Sequence, residues 1–216
     1  MPVNQLENPL GGRRARTRSA LFKAGLTLFA QRPVDAVPID DIVALAGVAK
    51  GSFFNHFRDK QDFATAIAAE IRGEIEASIS AANADIDDPL KRLTGGMMMA
   101  VHFALTAPEQ ARVMMSGLHA ATARDHPLNA GLRHDIELAR AKGLLREEAG
   151  EAGLLFWLGA CTMVMANVTE RRFTPEQAAQ RMADVMLMAL VGLGITEPLA
   201  KALATDAREA LLTRLQ

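Results

Sequence analysis

The chain has 216 residues, half of them apolar, with a net charge of −1 and a single cysteine. This length allows one large or two small domains with a buried core, and no uninterrupted apolar run approaches the roughly 18 to 20 residues of a membrane span. One cysteine excludes an intrachain disulfide and a cysteine-based zinc site, and the first residues lack the pattern of a secretory signal, so we expect a cytoplasmic protein without a membrane contact.

Charge is distributed unevenly along the chain. Residues 1 to 60 carry nine Lys or Arg and five Asp or Glu, a net charge of +4. Residues 61 to 216 carry the remaining fifteen basic and twenty acidic side chains, a net charge of −5. A positive N-terminal part favours a polyanionic partner for that part, although solvated surfaces also show such a bias.

The N-terminal part is predicted to begin with an arm and one helix. Residues 1 to 12 contain two prolines, a Gly-Gly pair and few apolar side chains, which is typical of a disordered arm. The arginines that follow predict phosphate or minor-groove contacts, with a solvated helix start as the alternative. They are Arg13, Arg14, Arg16 and Arg18. The first helix is predicted from Thr17 to Gln31.

The next stretch has the spacing of a helix-turn-helix. Apolar residues recur every three or four positions from Ile39 to Ala46, which predicts a short amphipathic helix. Gly47 suits the left-handed conformation that ends a helix, and only three residues, Gly47 to Ala49, separate this helix from a second one predicted from Lys50 to Phe57. The second helix is predicted to bury Phe53 and Phe57 and to expose a polar, cationic outer face, as a major-groove helix does.

The run AGVAKGSFFNHFRDKQDF, residues 46 to 63, resembles the helix-turn-helix of tetracycline-repressor-like (TetR family) regulators. The resemblance implies that Lys50 and His56 grip phosphate and that Ser52, Phe53 and Asn55 face base edges or a thymine methyl. It also implies that Lys60 clamps the DNA backbone and that Thr17 caps a helix against phosphate. The predicted DNA-binding set is Arg13, Arg14, Thr17, Arg18, Lys50, Gly51, Ser52, Phe53, Phe54, Asn55, His56 and Lys60.

Three positions depart from the family pattern. Phe54 stands where the family has a tyrosine that bonds phosphate, and Pro38 replaces a frequent Thr or Ser. Each of these two changes removes a hydroxyl group and, with it, one contact to phosphate. Val43 replaces a common alanine.

Beyond residue 60 the pattern is entirely helical. Helices are predicted from Asp62 to Ala82, Pro89 to Thr106, Pro108 to Leu118, up to Lys142, Glu148 to Arg171, Pro175 to Leu193 and Pro198 to Leu215. We predict an all-α protein: an N-terminal three-helix DNA-binding domain, residues 1 to 60, and a larger helical ligand-binding and dimerisation domain, residues 61 to 216.

Ten of the eleven methionines lie in these later helices. Methionine usually fills helical cores, but thioether side chains repack easily and suit a pocket for apolar ligands. By resemblance, the predicted ligand-binding set is Met98, His102, Met114, Leu118, His119, Trp157 and Cys161. The two histidines would supply the polar groups of the pocket, or would be ordinary core or surface histidines.

The last long helices are too apolar for the surface of a monomer. The residues concerned are Leu155, Leu158, Val164, Val168, Ala178, Met182, Val185, Met186, Ala189 and Leu193. They predict either a packed interior or, as we prefer and the resemblance implies, a two-fold four-helix bundle between the subunits of a homodimer.

The predicted function is a DNA-binding repressor that an apolar small-molecule effector releases from an inverted-repeat operator. A DNA-binding dimer without ligand control is one alternative, and an all-α enzyme is another. The enzyme is disfavoured because the sequence has no Glu-x-x-His pair, P-loop, GxSxG or GxGxxG motif, so we predict no catalytic residues, no metal and no cofactor.

Overall fold

The computed structural model describes residues 9 to 116 and 129 to 216, apart from the side chains of residues 9 to 11 and 116. In these ranges the chain forms ten α-helices and no β-strand, which confirms the all-α class. The helices are α1 (Pro9–Gln31), α2 (Ile39–Ala46), α3 (Lys50–Phe54), α4 (Lys60–Ala82), α5 (Pro89–Thr106), α6 (Pro108–Ser116), α7 (Ala130–Ala141), α8 (Glu151–Arg171), α9 (Pro175–Gly192) and α10 (Glu197–Arg214). Short 3-10 helices occupy Val34–Ala36 and Glu147–Ala149.

The chain divides into two compact units, Met1–Ala68 and Ala69–Gln216. The division falls inside α4, whereas the boundary predicted from the sequence lies after residue 60, where α4 begins. Helix α4 therefore supplies residues to both units.

Helix α1 begins earlier than the sequence pattern predicts. It starts at Pro9 and not at Thr17, so residues 9 to 12 are helical and their assignment to a disordered arm is wrong. Proline fits the first position of a helix, and two glycines cost only about 1 kcal/mol each relative to alanine. Residues 1 to 8 lie outside the described residues.

Five phenylalanines form the centre of the first unit, and we call them the aromatic cluster: Phe22, Phe29, Phe53, Phe57 and Phe63. The ring of Phe63 contacts the other four at centroid distances between 4.7 and 5.9 Å. Each ring buried in this way contributes roughly 1.5 to 3 kcal/mol, and each favourable ring pair adds about 0.5 to 1.5 kcal/mol. The cluster therefore joins α1, α3 and α4 into one body.

Gly25 of α1 allows this packing. A Cβ atom at this position would lie 2.5 Å from Cζ of Phe63 and 2.6 Å from Cδ1 of Ile67. Because Phe63 and Ile67 are fully buried and would have to move into packed surroundings, we expect Gly25→Ala to destabilise the first unit by about 1 to 3 kcal/mol and to weaken DNA binding with it. Thermal unfolding followed by circular dichroism measures the loss.

Gly73→Ala is the matched control, since Gly73 also lies within a helix but has no atom within 4 Å of its Cβ position. This variant is expected to gain up to about 1 kcal/mol because alanine favours a helix over glycine. Equal stability of the two variants would contradict the packing argument.

The second unit has its core between α5, α8, α9 and α10. Its largest fully buried side chains include Trp157, Met97, Met182 and Met186, so many of the methionines do fill the core. The starts of α5 and α9 are capped: Asp88 accepts a hydrogen bond from the Leu90 N–H, and Thr174 and Gln177 form a capping box at the start of α9.

The apolar surface of α8 and α9 differs from the predicted one. Most residues that the sequence assigned to an interface between subunits are buried within the chain, which corrects that assignment. They include Val164, Val168, Ala178, Met182, Met186, Ala189 and Leu193. Packing against α5 and α10 buries these faces, and of the predicted residues only Leu155 is among the exposed large apolar side chains.

By length and composition alone, α8 could cross a membrane. This is weak support for a membrane span, because the apolar core helix of a globular protein has the same composition. Side chains along α8, such as Leu154, Trp157 and Val164, belong to the core of the second unit.

Candidate nucleic-acid interface

The helix-turn-helix is present with the predicted glycine turn. Gly47 adopts φ 66° and ψ 32°, the left-handed conformation. Its N–H donates to the Ala44 carbonyl at 3.2 Å, and the Val48 N–H donates to the Val43 carbonyl at 3.0 Å. These two bonds form a Schellman motif, which satisfies carbonyls at the end of α2 and turns the chain into α3.

Helix α3 is shorter than predicted, ending at Phe54 and not at Phe57. The His56 N–H bonds the Phe53 carbonyl at 3.0 Å, a tight i to i+3 turn that ends the helix. Directly afterwards the Asp59 carboxylate accepts from the Asp62 N–H at 2.8 Å and caps α4. Asn55 and His56 therefore lie in the turn after α3.

Phe53 and Phe54 have opposite environments. Phe53 has no exposed surface and lies in the aromatic cluster, so the prediction that it contacts bases is wrong. Phe54 is 51 % exposed, with its ring edge-on to Phe53. The outward residue of the pair is therefore Phe54, because the side chain at position 53 is needed to hold α3 on α1 and α4.

Six of the predicted DNA-binding residues surround one open cleft of about 540 Å³ in the first unit. The lining residues are Arg13, Arg14, Thr17, Ser52, Asn55 and His56. None of these six side chains is acidic, and all can donate a hydrogen bond. The cleft lies between the N-terminal half of α1 and α3 with the turn that follows it, and its chemistry suits phosphate and base edges.

Thr17 has a different role from the predicted one. It lies inside α1, eight residues after the helix begins, so it is not a helix cap. The early start of α1 explains the difference. Its half-buried side chain instead forms part of the wall of the cleft.

Burial lowers the pKa of His56, and the nearby cations of Arg14 and Arg18 lower it further. The imidazole is therefore neutral at pH 7, with one N–H to donate. Arg18 also lies over the ring of Phe22, with its guanidinium carbon 4.1 Å from the ring centroid. The arginines of α1 thus place their charge beside the end of α3.

The two predicted lysines have partners within the first unit. The Lys50 ammonium lies 2.8 Å from an Asp40 carboxylate oxygen, and both side chains are more than half exposed. The Lys60 ammonium donates to the Asp35 carbonyl at 2.8 Å. Gly51 is exposed, and nothing lies within 4 Å of its Cβ position.

The predicted ligand-binding residues lie on several helices of the second unit. Trp157 is buried in the core, and Met98, Met114 and Cys161 are half-buried against it. His102 is half-buried on α5, where burial lowers its pKa and the charge of Arg214 lowers it further. Leu118 and His119 lie outside the described residues.

Sequence reasoning missed a charged pair on α4, Arg72 and Glu76. The available signal was two opposite charges one turn apart among the buried isoleucines of α4. Among the described residues, no group of three or more His, Cys, Asp or Glu side chains could hold a metal ion.

Comparison with known proteins identifies the family. The family model described as bacterial regulatory proteins, tetR family, matches residues 21 to 67, which include α2, the glycine turn and α3. The transcriptional repressor BepR of Brucella suis biovar 1 (strain 1330) is 27% identical over 181 residues, covering 82% of this chain and 78% of BepR. The chain belongs to the TetR family.

Two further proteins are similar to this TetR-family regulator, one in sequence and one in fold. The transcriptional repressor DhaR of Mycobacterium sp. (strain GP1) is 33% identical over 81 residues, which are 37% of this chain and 41% of DhaR. The match thus spans less than half of DhaR. The crystal structure of RolR in complex with resorcinol has a TM-score of 0.59 at 20% identity, covering 90% of this chain and 95% of RolR. At that identity the similarity establishes the fold alone.

Proposed function

We propose that this TetR-family regulator is a transcriptional repressor that binds an inverted-repeat DNA site as a homodimer and leaves it when a small, largely apolar ligand binds the second unit. The observation that carries the proposal is the cleft between α1 and α3. It combines two arginines with hydrogen-bonding side chains and has no acidic lining residue. Similarity to repressors favours this function over an enzyme.

In this proposal the cleft residues divide into two roles. Arg13 and Arg14 bind phosphate oxygens, because a guanidinium forms charge-assisted, bidentate bonds with them. Ser52 and Asn55 reach base edges, since an asparagine amide matches the donor and acceptor of adenine in the major groove. Phe54 adds an exposed apolar ring of the kind that contacts a thymine methyl.

The lysines complete the phosphate contacts. The exposed Lys50–Asp40 ion pair contributes at most about 1 kcal/mol, so a phosphate can replace Asp40 as the partner of Lys50. Lys60 uses one donor on the Asp35 carbonyl, and an ammonium group has three. Lys60 therefore still binds the DNA backbone in this arrangement.

The proposed dimer forms through an exposed apolar stripe on α8 and α9. Its members are Leu155, Phe156, Met163, Met188 and Val191, which are between 39 and 74 % exposed. Exposed Gly159 lies within the stripe and has no atom within 4 Å of its Cβ position, so another helix can approach closely there. Two copies related by a two-fold axis would bury both stripes in a four-helix bundle.

The proposed effector site lies in the second unit, beside Trp157. Met98, Met114 and Cys161 are uncharged, so this part of the site favours an apolar molecule over a nucleotide or sugar phosphate. RolR, which has the same fold, binds the small neutral aromatic molecule resorcinol. A ligand releases DNA only if it binds more tightly to the conformation with low DNA affinity.

Two variants in the cleft test the division of roles. Arg14→Ala is expected to weaken binding to all DNA sequences alike and to reduce the salt slope by about 0.9, because one phosphate contact is lost. Asn55→Ala is expected to change base preference by about 1 to 3 kcal/mol at one position. The measurements are titrations at several salt concentrations with a duplex selected from a random library and with its single-base variants.

Lys23→Ala is the matched control for Arg14→Ala. Lys23 is exposed on α1, nine residues from Arg14 and therefore on the opposite side of the helix. Its loss removes the same charge without changing the cleft, so binding is expected to stay near the wild-type value. If Lys23→Ala and Arg14→Ala weaken binding equally, the cleft is not the phosphate site.

A further inference from the structure

The buried face of helix α4 is apolar except for one charged pair. Arg72 and Glu76 are one turn apart, each directly after a buried isoleucine, Ile71 or Ile75, and their side chains are only 15 and 30 % exposed. Partly buried charges are costly unless they are paired and hydrogen-bonded. The pair therefore requires an explanation beyond a solvated surface.

The pair is incompletely satisfied within the described residues. The Arg72 Nη2 group donates to the Asn129 side-chain oxygen, which draws the guanidinium towards Asn129. Its distance to the nearer Glu76 oxygen is 4.0 Å, too long for a hydrogen bond. The buried Arg72 Nε has no hydrogen-bond partner among the described residues. The Glu76 carboxylate accepts no hydrogen bond from that part of the chain, and its side chain is 30 % exposed, so its oxygens are available to water or to a ligand.

The surroundings of Glu76 are those of the proposed effector site. Burial raises the pKa of the Cys161 thiol to about 12, and the charge of the Glu76 carboxylate raises it further, so Glu76 lies within electrostatic range of Cys161. Trp157 lies one turn before Cys161 on the same helix. Burial also raises the pKa of Glu76, and the Arg72 guanidinium opposes that rise. A carboxylate thus lies next to an uncharged, apolar wall.

These charges select among chemical classes of ligand. Arg72 lies about 4 Å from the carboxylate, so the pair has no net charge, and for either kind of ion the attraction of one partner is offset by the repulsion of the other. A neutral hydroxyl group has the O–H donor that the carboxylate lacks and adds no charge. Hydrogen bonds with an ionised acceptor are roughly twice as strong as neutral ones, so one hydroxyl group can decide which apolar molecule binds.

We propose that Glu76 is a specificity-determining residue of the effector site, where it accepts a hydrogen bond from a hydroxyl group of a neutral, otherwise apolar effector. Arg72, held by Asn129, is the positioning residue that keeps the carboxylate ionised. This inference rests on the proposed ligand control of the TetR-family regulator. It assigns the polar end of the ligand to α4 and not to the histidines of α5.

The test uses pairs of small apolar compounds that differ in one methyl group. The panel holds alkylphenols and long-chain alkanols, each with its methyl ether, and 4-propylphenol with 4-propylanisole is the first pair. Quenching of Trp157, the single tryptophan, reports binding, and anisotropy of labelled duplex reports DNA release. The wild-type protein is expected to bind the preferred hydroxyl compound at least about tenfold more tightly than its ether.

Glu76→Gln should reduce that preference to about twofold or less, because the amide keeps the shape of the side chain but loses the charge. Glu74→Gln is the matched control, since Glu74 is exposed on the same helix. Glu76→Asp, which keeps the charge on a shorter side chain, should show an intermediate preference. Thermal unfolding and unliganded DNA binding establish that each variant is folded.

The possible results separate the two proposals. If compounds quench Trp157 and release DNA but the ether binds as well as the hydroxyl compound, or Glu76→Gln retains the preference, the role of Glu76 is overturned while ligand control stands. If no compound in the panel binds or releases DNA, the hydroxyl effector and ligand control by this class are both overturned. DNA binding by the cleft is measured independently in either case.

Discussion

A Met163→Glu variant is expected to be monomeric and to bind the inverted-repeat DNA at least about 100-fold more weakly than the wild-type protein. Met163 is 64 % exposed on α8, within the proposed dimer stripe, so the change need not disturb the fold of the single chain. In the dimer it would place two carboxylates in an apolar interface, which is costly. Without the second subunit the gain from two linked half-sites is lost, and that gain is about 10² to 10⁴.

Sedimentation velocity gives the oligomeric state, and fluorescence anisotropy with a labelled duplex gives the affinity. Met188→Glu, at the 74 % exposed position on α9, should repeat the result. Ala202→Glu is the control, because it adds the same charge at an exposed position of α10 outside the stripe. A Met163→Glu protein that stays dimeric and keeps its affinity would place the interface elsewhere.

The Cys161 thiol is expected to react with a disulfide reagent such as DTNB at least about 1,000-fold more slowly in the native protein than in the unfolded chain at pH 8. Only the thiolate reacts, and burial raises the pKa of this thiol from 9.0 to about 12, with Glu76 contributing. A pKa that is three units higher reduces the thiolate fraction at pH 8 by about three orders of magnitude.

The reaction is followed by absorbance in buffer and in guanidinium chloride, where the chain supplies its own unfolded reference. Because the thiol is protonated below its raised pKa, the native rate should keep rising with pH above 9, where the unfolded rate levels off. A native rate within tenfold of the unfolded one would mean that the sulfur atom of Cys161 is itself exposed to solvent, and it would remove the apolar wall from the proposed effector site.

Much of the helix-turn-helix follows from local sequence. The positions of Ile42 and Val43, the left-handed Gly47 and the start of the second helix can be predicted because each depends on contacts within a few residues. The starts of α5 and α9 are local for the same reason, since a capping side chain and a proline act on the next turn only.

The direction of individual side chains in the candidate sites depended on distant contacts. Sequence spacing placed both Phe53 and Phe57 on an inner face, and the resemblance also assigned Phe53 to DNA. Only the aromatic cluster, with Phe63 supplied from α4, shows that Phe53 is fully enclosed and that Phe54 is the exposed ring. Similarly, the apolar faces of α8 and α9 could not be divided into interior and surface until α5 and α10 were in place.

The sequence by itself determined the all-α class, the helix-turn-helix and the arginines beside it, because periodicity, caps and glycine turns are properties of neighbouring residues. The tertiary structure decided which residues share a site. Arg14 and Asn55 meet at one cleft although they are 41 positions apart, and the charge of Glu76 acts on Cys161 across 85 positions. Which distant residues come together depends on how the helices pack, and helix packing is determined by the complete core and not by any one segment.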